Sequence, residues 1–449
     1  MPRPNLHGRA VALRRDLRLL TADGALWAIM TGTGEWQFVL FALAIGLSEV
    51  RAGLVSTVPL FIGAILQLLT PWGVRRTGSL RRWVWVCAGL QGCSLLPLGI
   101  GAILAWTLDP GFGATRPDLA TVLLFGCIIG YWGAGFATAP PWQAWFTSLV
   151  PGSIRPTFVG ARDRFVQLGL ACGILAGLFL EFGDRGGWQL PAFAGVFLVA
   201  FLARAGSTWC LARQSDAPAA LATGVRPLSL AVIRSDFADR RTRQLLLYML
   251  AFLMSVMVVG PYFAVYMRSE LEFSYLEITT GLFVMMFVKA LILPFVGRLA
   301  KRIGPGRVLW IGAVMVTPAA ALWAVHDQFW WIILVQVYAA CGWACWETAT
   351  FLLIFDTIPA ERRTTALTVY QFARSSAFLV GSFLGALVLE GFGVGPTGYV
   401  ALFVLSSLMR GMTLFMLSVL EPTGLRLRHR AGRTVSRVMS FLPGSTLPD

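Results

Sequence analysis

The sequence predicts an all-α membrane protein, with twelve transmembrane helices arranged as two six-helix bundles. Three observations carry this expectation. The 449 residues are 57% apolar and only 13% charged, with a mean hydropathy of +0.70; soluble domains carry about 25% charged residues to keep their surface in water. The charges cluster in short runs separated by apolar stretches of roughly 18 to 30 residues, and a bilayer core about 30 Å thick takes about 20 helical residues to cross. The second half of the chain also echoes the first.

In chain order, apolar stretches punctuated by Gly, Pro and Arg predict helices at about 24–47, 53–74, 82–107, 119–149, 164–182 and 191–211. A polar segment follows, then helices at about 245–267, 276–300, 308–325, 329–355, 364–389 and 399–420. Hydrocarbon admits only helices or closed barrels, because every backbone N–H and C=O must be satisfied internally. Barrel strands alternate apolar and polar residues, and these stretches do not. The first stretch contains Glu35 and lacks a small-residue cleavage pattern, so it is expected to remain as a helix. The run Ala139-Pro140-Pro141-Trp142-Gln143 is expected to break the fourth span toward one end. Pro261 with Tyr262, Phe263 and Tyr266 is expected to close the seventh at an aromatic interfacial belt.

Arginine and lysine orient the helices. Twenty-nine lie in the N-terminal arm, the even-numbered loops and the tail, against four (Arg51, Arg116, Arg185 and Arg268) on the other side. That bias places both termini and the central loop in the cytoplasm, with the chain in the cytoplasmic (inner) membrane. The chain then divides into a basic arm (1–23), a first bundle (24–211), a linker (212–244), a second bundle (245–420) and a basic tail (421–449). The linker is expected to lay an amphipathic helix on the headgroups, and the tail to be disordered and drawn to anionic lipid.

Other classes fit poorly. A net charge of +15 could mark a nucleic-acid footprint, but the basic residues alternate loop by loop instead of forming one patch. The seven cysteines all fall in apolar stretches, so no disulfide framework is expected. Cys341 and Cys345 share a helix face but have no histidine near them, which suits packed thiols better than a metal. His7, His326 and His429 sit at the chain's edges or in a loop, and nothing resembles a nucleophilic site or a Walker-type loop. Neither an enzyme nor a bound cofactor is expected.

The two halves match at a constant offset of 208, pairing Pro151 with Pro359, Arg155 with Arg363, Gly173 with Gly381 and Gly177 with Gly385. TPWGVRRTGSLRR after the second span parallels LPFVGRLAKRIGPGR after the eighth. The run GRLAKRIGPGR carries Gly297, Lys301, Arg302, Gly304 and Arg307; its shortened first-half copy carries Gly73, Gly78, Arg81 and Arg82. With this loop the chain resembles the major facilitator superfamily over essentially its whole length. It departs from that pattern in having Lys301 where the family has an acid, and no acid in the first copy. A helix-4 arginine signature and a helix-5 Gly-Pro pair are missing too, which argues against drug efflux. The resemblance implies a midplane site between the halves, lined by helices 1, 8, 10 and 11 among others, with helices 3, 6, 9 and 12 outside.

An ionisable group near the centre of a span costs roughly 2.5–3.5 kcal/mol on insertion scales, so each calls for a reason. Glu35 is the first candidate for proton coupling or for a structural helix-to-helix pair, since a half-dry cavity disfavours a charged carboxylate. Lys289 either attracts an anionic group or neutralises Glu35; Glu347, Arg374, Trp142 and Gln143 complete the candidate set. Arg204 and Arg374 are expected to snorkel toward the headgroups, and Arg410 to be structural. The functional expectation is a monomeric secondary transporter of a small solute working by alternating access, with an ion gradient, of protons, as its energy source. The alternatives are a non-transporting sensor on the same fold, or a lipid flippase or membrane-embedded enzyme.

Overall fold

A computed structural model describes residues 6–109, 111–151, 154–216, 239–358 and 360–420. The tail and linker residues 217–238 lie outside these, and with them the expected amphipathic helix and the lipid-drawn tail. Every regular element among the described residues is helical. Eleven helices are long and apolar enough to cross a membrane. In chain order after the first they are α2 (Glu49–Thr77), α3 (Leu80–Leu108), α4 (Pro117–Phe146), α5 (Phe165–Arg185), α6 (Gln189–Arg213), α7 (Arg240–Ser269), α8 (Tyr275–Ile303), α9 (Pro305–Ala324), α10 (Phe329–Ile354), α11 (Val369–Phe392) and α12 (Pro396–Ser418). The twelfth is α1, Leu6–Thr33, which continues through a 3-10 turn at Glu35–Gln37 into Phe38–Ala44.

Three expectations need correction. The N-terminal arm does not stand apart from the first span, because α1 is helical from Leu6. Its first turns carry Arg14, Arg15 and Arg18, which lowers their hydropathy without breaking the helix. The fourth span does not break at the prolines: its helix runs unbroken over Pro117–Leu149 with Pro140 and Pro141 inside it. Pro141 has no N–H for the carbonyl of Ala137. The indole Nε1 of Trp83, on α3, donates to that carbonyl at 3.0 Å instead. Finally, Tyr262 and Tyr266 form no interfacial belt; they are 0% and 9% exposed, packed inside the protein.

The halves repeat each other in their packing. Glycines of α5 meet α1: a Cβ on Gly169 would press on the Ala25 carbonyl, and one on Gly173 on the Gly32 carbonyl. Likewise Gly381 and Gly385 of α11 lie against the Met254 and Val258 carbonyls of α7. Small residues are what allow helices to approach this closely in lipid, where packing replaces the hydrophobic drive. Each half's first helix is also interrupted by a 3-10 turn, at Glu35–Gln37 and at Gly260–Tyr262.

The repeated loops differ. In the first, Gly78 takes φ +63° and ends the α2 helix, and Ser79 caps α3 by accepting from the Arg82 amide at 3.1 Å. Gly73 lies flat beneath the Trp83 ring. The acid missing from this loop comes from elsewhere: Asp216, just past α6, accepts from the Ser79 hydroxyl at 2.7 Å and pairs with Arg81 at 3.7 Å. In the second, Gly304 takes φ +89° between α8 and α9, and Lys301, Arg302 and Arg307 are exposed.

The buried apolar residues are not distributed evenly. At the end of the molecule away from the basic loops, one continuous cluster joins both halves, from Met30, Phe38 and Phe41 through Tyr262 to Tyr399 and Phe403. At the basic end the clusters are separate: one holds only second-half residues such as Phe252, Trp346 and Leu417, and two hold only first-half residues around Trp145 and Leu20.

The glycine seams give a direct test. Gly173→Leu and Gly381→Leu each force a side chain into a facing backbone, whereas Gly101→Ala meets nothing within 4 Å. Both leucine variants are expected to lose several degrees of melting temperature or fail to purify as a monodisperse species. The Gly101→Ala protein is expected to melt with the wild type.

Candidate functional site

Glu35 opens the 3-10 turn that interrupts α1, between Gly34 and Phe38. It is half-buried, and its Oε2 accepts from the Tyr131 hydroxyl of α4 at 2.8 Å. Tyr131 is fully buried and held edge-on to Phe38 at 5.2 Å between ring centres. Among the described residues no cation pairs with Glu35. Its charge, when present, is met by a neutral hydroxyl.

Lys289 does not neutralise Glu35. Its Nζ lies 3.1 Å from Glu347 Oε2 and 3.2 Å from Oε1, joining α8 to α10. The two side chains are 19% and 44% exposed, so this pair is reachable and not sealed in the core. Each partner offsets part of the other's desolvation.

Arg374, on α11, is half-buried. Its guanidinium lies over the Phe378 ring at 5.2 Å. Its Nε is buried with no acceptor, and no carboxylate pairs with it among the described residues. Trp142 stacks on Phe146 at 5.1 Å with the Arg162 guanidinium 5.1 Å from its ring. It packs with the first-half clusters of the basic end. Gln143, its neighbour, is exposed.

Arg204 does not snorkel. It is 3% exposed and donates to Ser207 at 2.9 Å, and Ser207 donates to Asp23 of α1 at 2.7 Å. Asp23 is itself 4% exposed, which leaves a buried cation and anion bridged by one hydroxyl between α1 and α6. Sequence reading missed Asp23 because it fell just outside the predicted first span; an acid one residue from that boundary with a lone arginine on another span was the available signal. Arg410 is also 3% exposed and donates to the Val316 carbonyl of α9 at 2.9 Å.

A second set of polar contacts, equally unforeseen, joins the halves at the far end. Thr57 of α2 and Ser382 of α11 share a hydrogen bond at 2.7 Å; within the second half, Tyr262 of α7 braces the same residue by donating to the Ser382 carbonyl at 3.0 Å. Arg268 pairs with Asp184 at 2.7 Å, Gln189 donates to the Tyr275 hydroxyl at 2.8 Å, and Tyr399 donates to Glu49. Arg268 and Asp184 read in the sequence as ordinary loop charges. Their pairing depends on which loops the fold brings together.

The Major Facilitator Superfamily model matches the chain at residues 90–382 and 245–441. The chain belongs to the Major Facilitator Superfamily. Solved structures agree in fold. A bacterial homologue of the iron transporter ferroportin, inward-facing, superposes with a TM-score of 0.68 at 14% identity, covering 90% of this chain and 98% of its own. A variant of the nucleoside transporter NupG gives 0.67 at 11% identity, over 90% and 99%. A D-xylose-proton symporter gives 0.65 at 16% identity, over 90% and 97%. No curated protein matches the chain. The protein is a membrane transporter and not an enzyme; at these identities the likeness carries the fold alone.

The buried Asp23–Ser207–Arg204 bridge is open to a double-variant test. Removing one charge leaves the other buried and unpaired, at a cost of about 3–5 kcal/mol. Asp23→Asn and Arg204→Met are each expected to lower the melting temperature clearly. The double variant Asp23→Leu with Arg204→Met is expected to recover most of the loss, and a double variant worse than either single one would contradict the bridge.

Proposed function

We propose that this superfamily member is a secondary active transporter that moves a small solute across the cytoplasmic membrane by alternating access. The solute site lies between the halves, near Glu35 on one side and Lys289, Glu347 and Arg374 on the other. The single observation that supports this best is the asymmetry of the buried core. One apolar cluster and a set of hydrogen bonds bind the halves together at the far end, while at the basic end each half packs only its own cluster. With the basic end in the cytoplasm, this is the state closed to the outside and open to the inside.

Rocking between the two states requires breaking the far-end contacts. Two of the polar ones, Thr57–Ser382 and Gln189–Tyr275, are neutral hydrogen bonds worth about 0.5–1.5 kcal/mol each, and two, Tyr399–Glu49 and Arg268–Asp184, involve charge and are worth about 1.5–3 kcal/mol each, which suits a gate that opens repeatedly. Glu35 is the proposed proton site. Its only described partner is the neutral Tyr131 hydroxyl, so binding a proton removes a charge that nothing else compensates. Lys289 and Glu347, already paired, are the less suitable carriers. The gradient of protons then supplies the energy, with no bound cofactor needed.

Two measurements test this reading in proteoliposomes, using the solute that most raises the melting temperature in a metabolite screen. Glu35→Gln is expected to lose pH-gradient-driven accumulation at least tenfold while keeping gradient-free exchange; unchanged accumulation rules out Glu35 as the coupling site. In a cysteine-free background, Thr57→Cys with Ser382→Cys is expected to cross-link on oxidation, stop uptake, and regain it with reductant. Full uptake by the cross-linked protein would contradict a far-end gate.

A further inference from the structure

The charges lining the second half point to the class of solute. We infer that Arg374 is the anchor for an organic anion, whose carboxylate or phosphate oxygens take the place of the acceptor the guanidinium lacks in the protein. This rests on the transport reading above and narrows it.

Arg374 belongs to the interior of the bundle. The strongly exposed positions of α11 include Val380, Phe383 and Leu387. At about 100° per residue, Arg374 lies roughly half a turn from the middle of that stripe, on the face that carries Gly381, Gly385 and Tyr370. Those glycines press on α7, and Tyr370 is 7% exposed in the second-half core. Arg374 is therefore held on the side turned away from lipid, and snorkelling to the headgroups does not describe it.

Its depth matches the proposed site. Arg374 is fourteen residues past the start of its helix at Ala360, and Lys289 is fourteen residues before Ile303, the end of its own. At 1.5 Å per residue both stand about 21 Å above the basic ends of their helices. Glu347, ten residues before Thr357, stands at about 15 Å on the same scale.

Charge completes the argument. Four charged side chains of the second half lie ten or more residues from both ends of their helices, and of these Lys289 and Glu347 cancel each other at 3.1 Å. Arg410 is buried against the Val316 carbonyl, away on α12. Of the three cations, Arg374 alone has no hydrogen-bond acceptor among the described residues; Arg410 shares a buried, unbonded Nε, but its Nη1 reaches the Val316 carbonyl, whereas Arg374 has the Phe378 ring beside it. A planar fork of donors without an acceptor at membrane depth is costly unless a ligand fills it. Carboxylate and phosphate match that fork in geometry and charge. Phe378 below the guanidinium helps to hold the plane in place.

The test uses the full chain, purified in detergent, with melting temperature as the readout. The probes are lactate, succinate and glycerol 3-phosphate, with glucose and choline as neutral and cationic controls, all at constant ionic strength. At least one anion is expected to raise the melting temperature in a saturable way while glucose and choline do not. Arg374→Gln is expected to weaken that anion's apparent affinity at least tenfold, and Arg374→Lys, which keeps charge but not the fork, by about two- to fivefold. Both variants are accepted only if they are monodisperse and melt cooperatively without ligand; should the Gln variant not fold, the Lys and Arg374→His proteins carry the comparison. Stabilisation by glucose or choline alone, by no anion, or equally in wild type and variants would overturn the inference. Uptake assays separate it from the broader reading: wild-type vesicles that bind the anion but never accumulate or exchange it defeat transport and leave the anion site standing. Vesicles that exchange a neutral solute undiminished by Arg374→Gln defeat the anion site and leave transport standing.

Discussion

Hydrocarbon offers a polar group nothing to bond with, and that constraint shapes this molecule at every level. It makes the spans helical, since only a helix closes its own backbone hydrogen bonds within one segment. It also requires each charge inside a span to find a partner within the protein. Arg204 meets Asp23 through Ser207, Lys289 meets Glu347, and Arg410 reaches the Val316 carbonyl. Even the carbonyl freed by Pro141 is taken up by the Trp83 indole. Two charged groups within the spans then stand out among the described residues: Glu35, whose partner is a neutral hydroxyl, and Arg374, whose guanidinium has no hydrogen-bond acceptor.

The same constraint separates what holds each half together from what joins the two. Within a half, helices are tied by glycine seams and buried polar bridges that are costly to break. Between halves, the far end is joined by an apolar cluster and scattered hydrogen bonds, and the basic end by separate clusters. Interfaces of this kind have two arrangements and few intermediates, because packed apolar surfaces are bistable and do not deform continuously. The root of the linker adds to the rigidity of the first half. Ser215 is held by the Trp145 indole and by Asp16, and Asp216 by Ser79 and Arg81, so the basic ends of α1, α3, α4 and α6 are tied to one another.

Much of the fold was legible from the sequence because the signals that set it are local or periodic. Apolar length located the spans after the first to within about five residues, and the 208-residue offset pointed to a duplication that the glycine seams of α5 and α11 carry in three dimensions. The candidate site was only partly legible. Glu35, Lys289, Glu347 and Arg374 were visible as charges at depth, but their pairing was not, because partner choice depends on helix rotation and on which spans are neighbours. Lys289 thus met Glu347 instead of Glu35. Asp23 was hidden by a predicted boundary one residue away. The far-end pairs, Arg268 with Asp184 and Thr57 with Ser382, were beyond reach, since nothing in a loop sequence says which other loop it will face. Proline misled for a related reason: its effect on α4 was decided by an indole from another helix.

The most direct measurement is a pair of spin-label distances in lipid nanodiscs, in a cysteine-free background. One pair sits at the far end, on Thr115 and Val394, and the other at the basic end, on Arg76 and Arg302, all exposed. If two rigid halves rock about a central site, each pair gives two distances, and conditions that lengthen one shorten the other. A single narrow distance at each end, unmoved by pH or by added solute, would contradict the rocking of the halves on which the proposed transport depends.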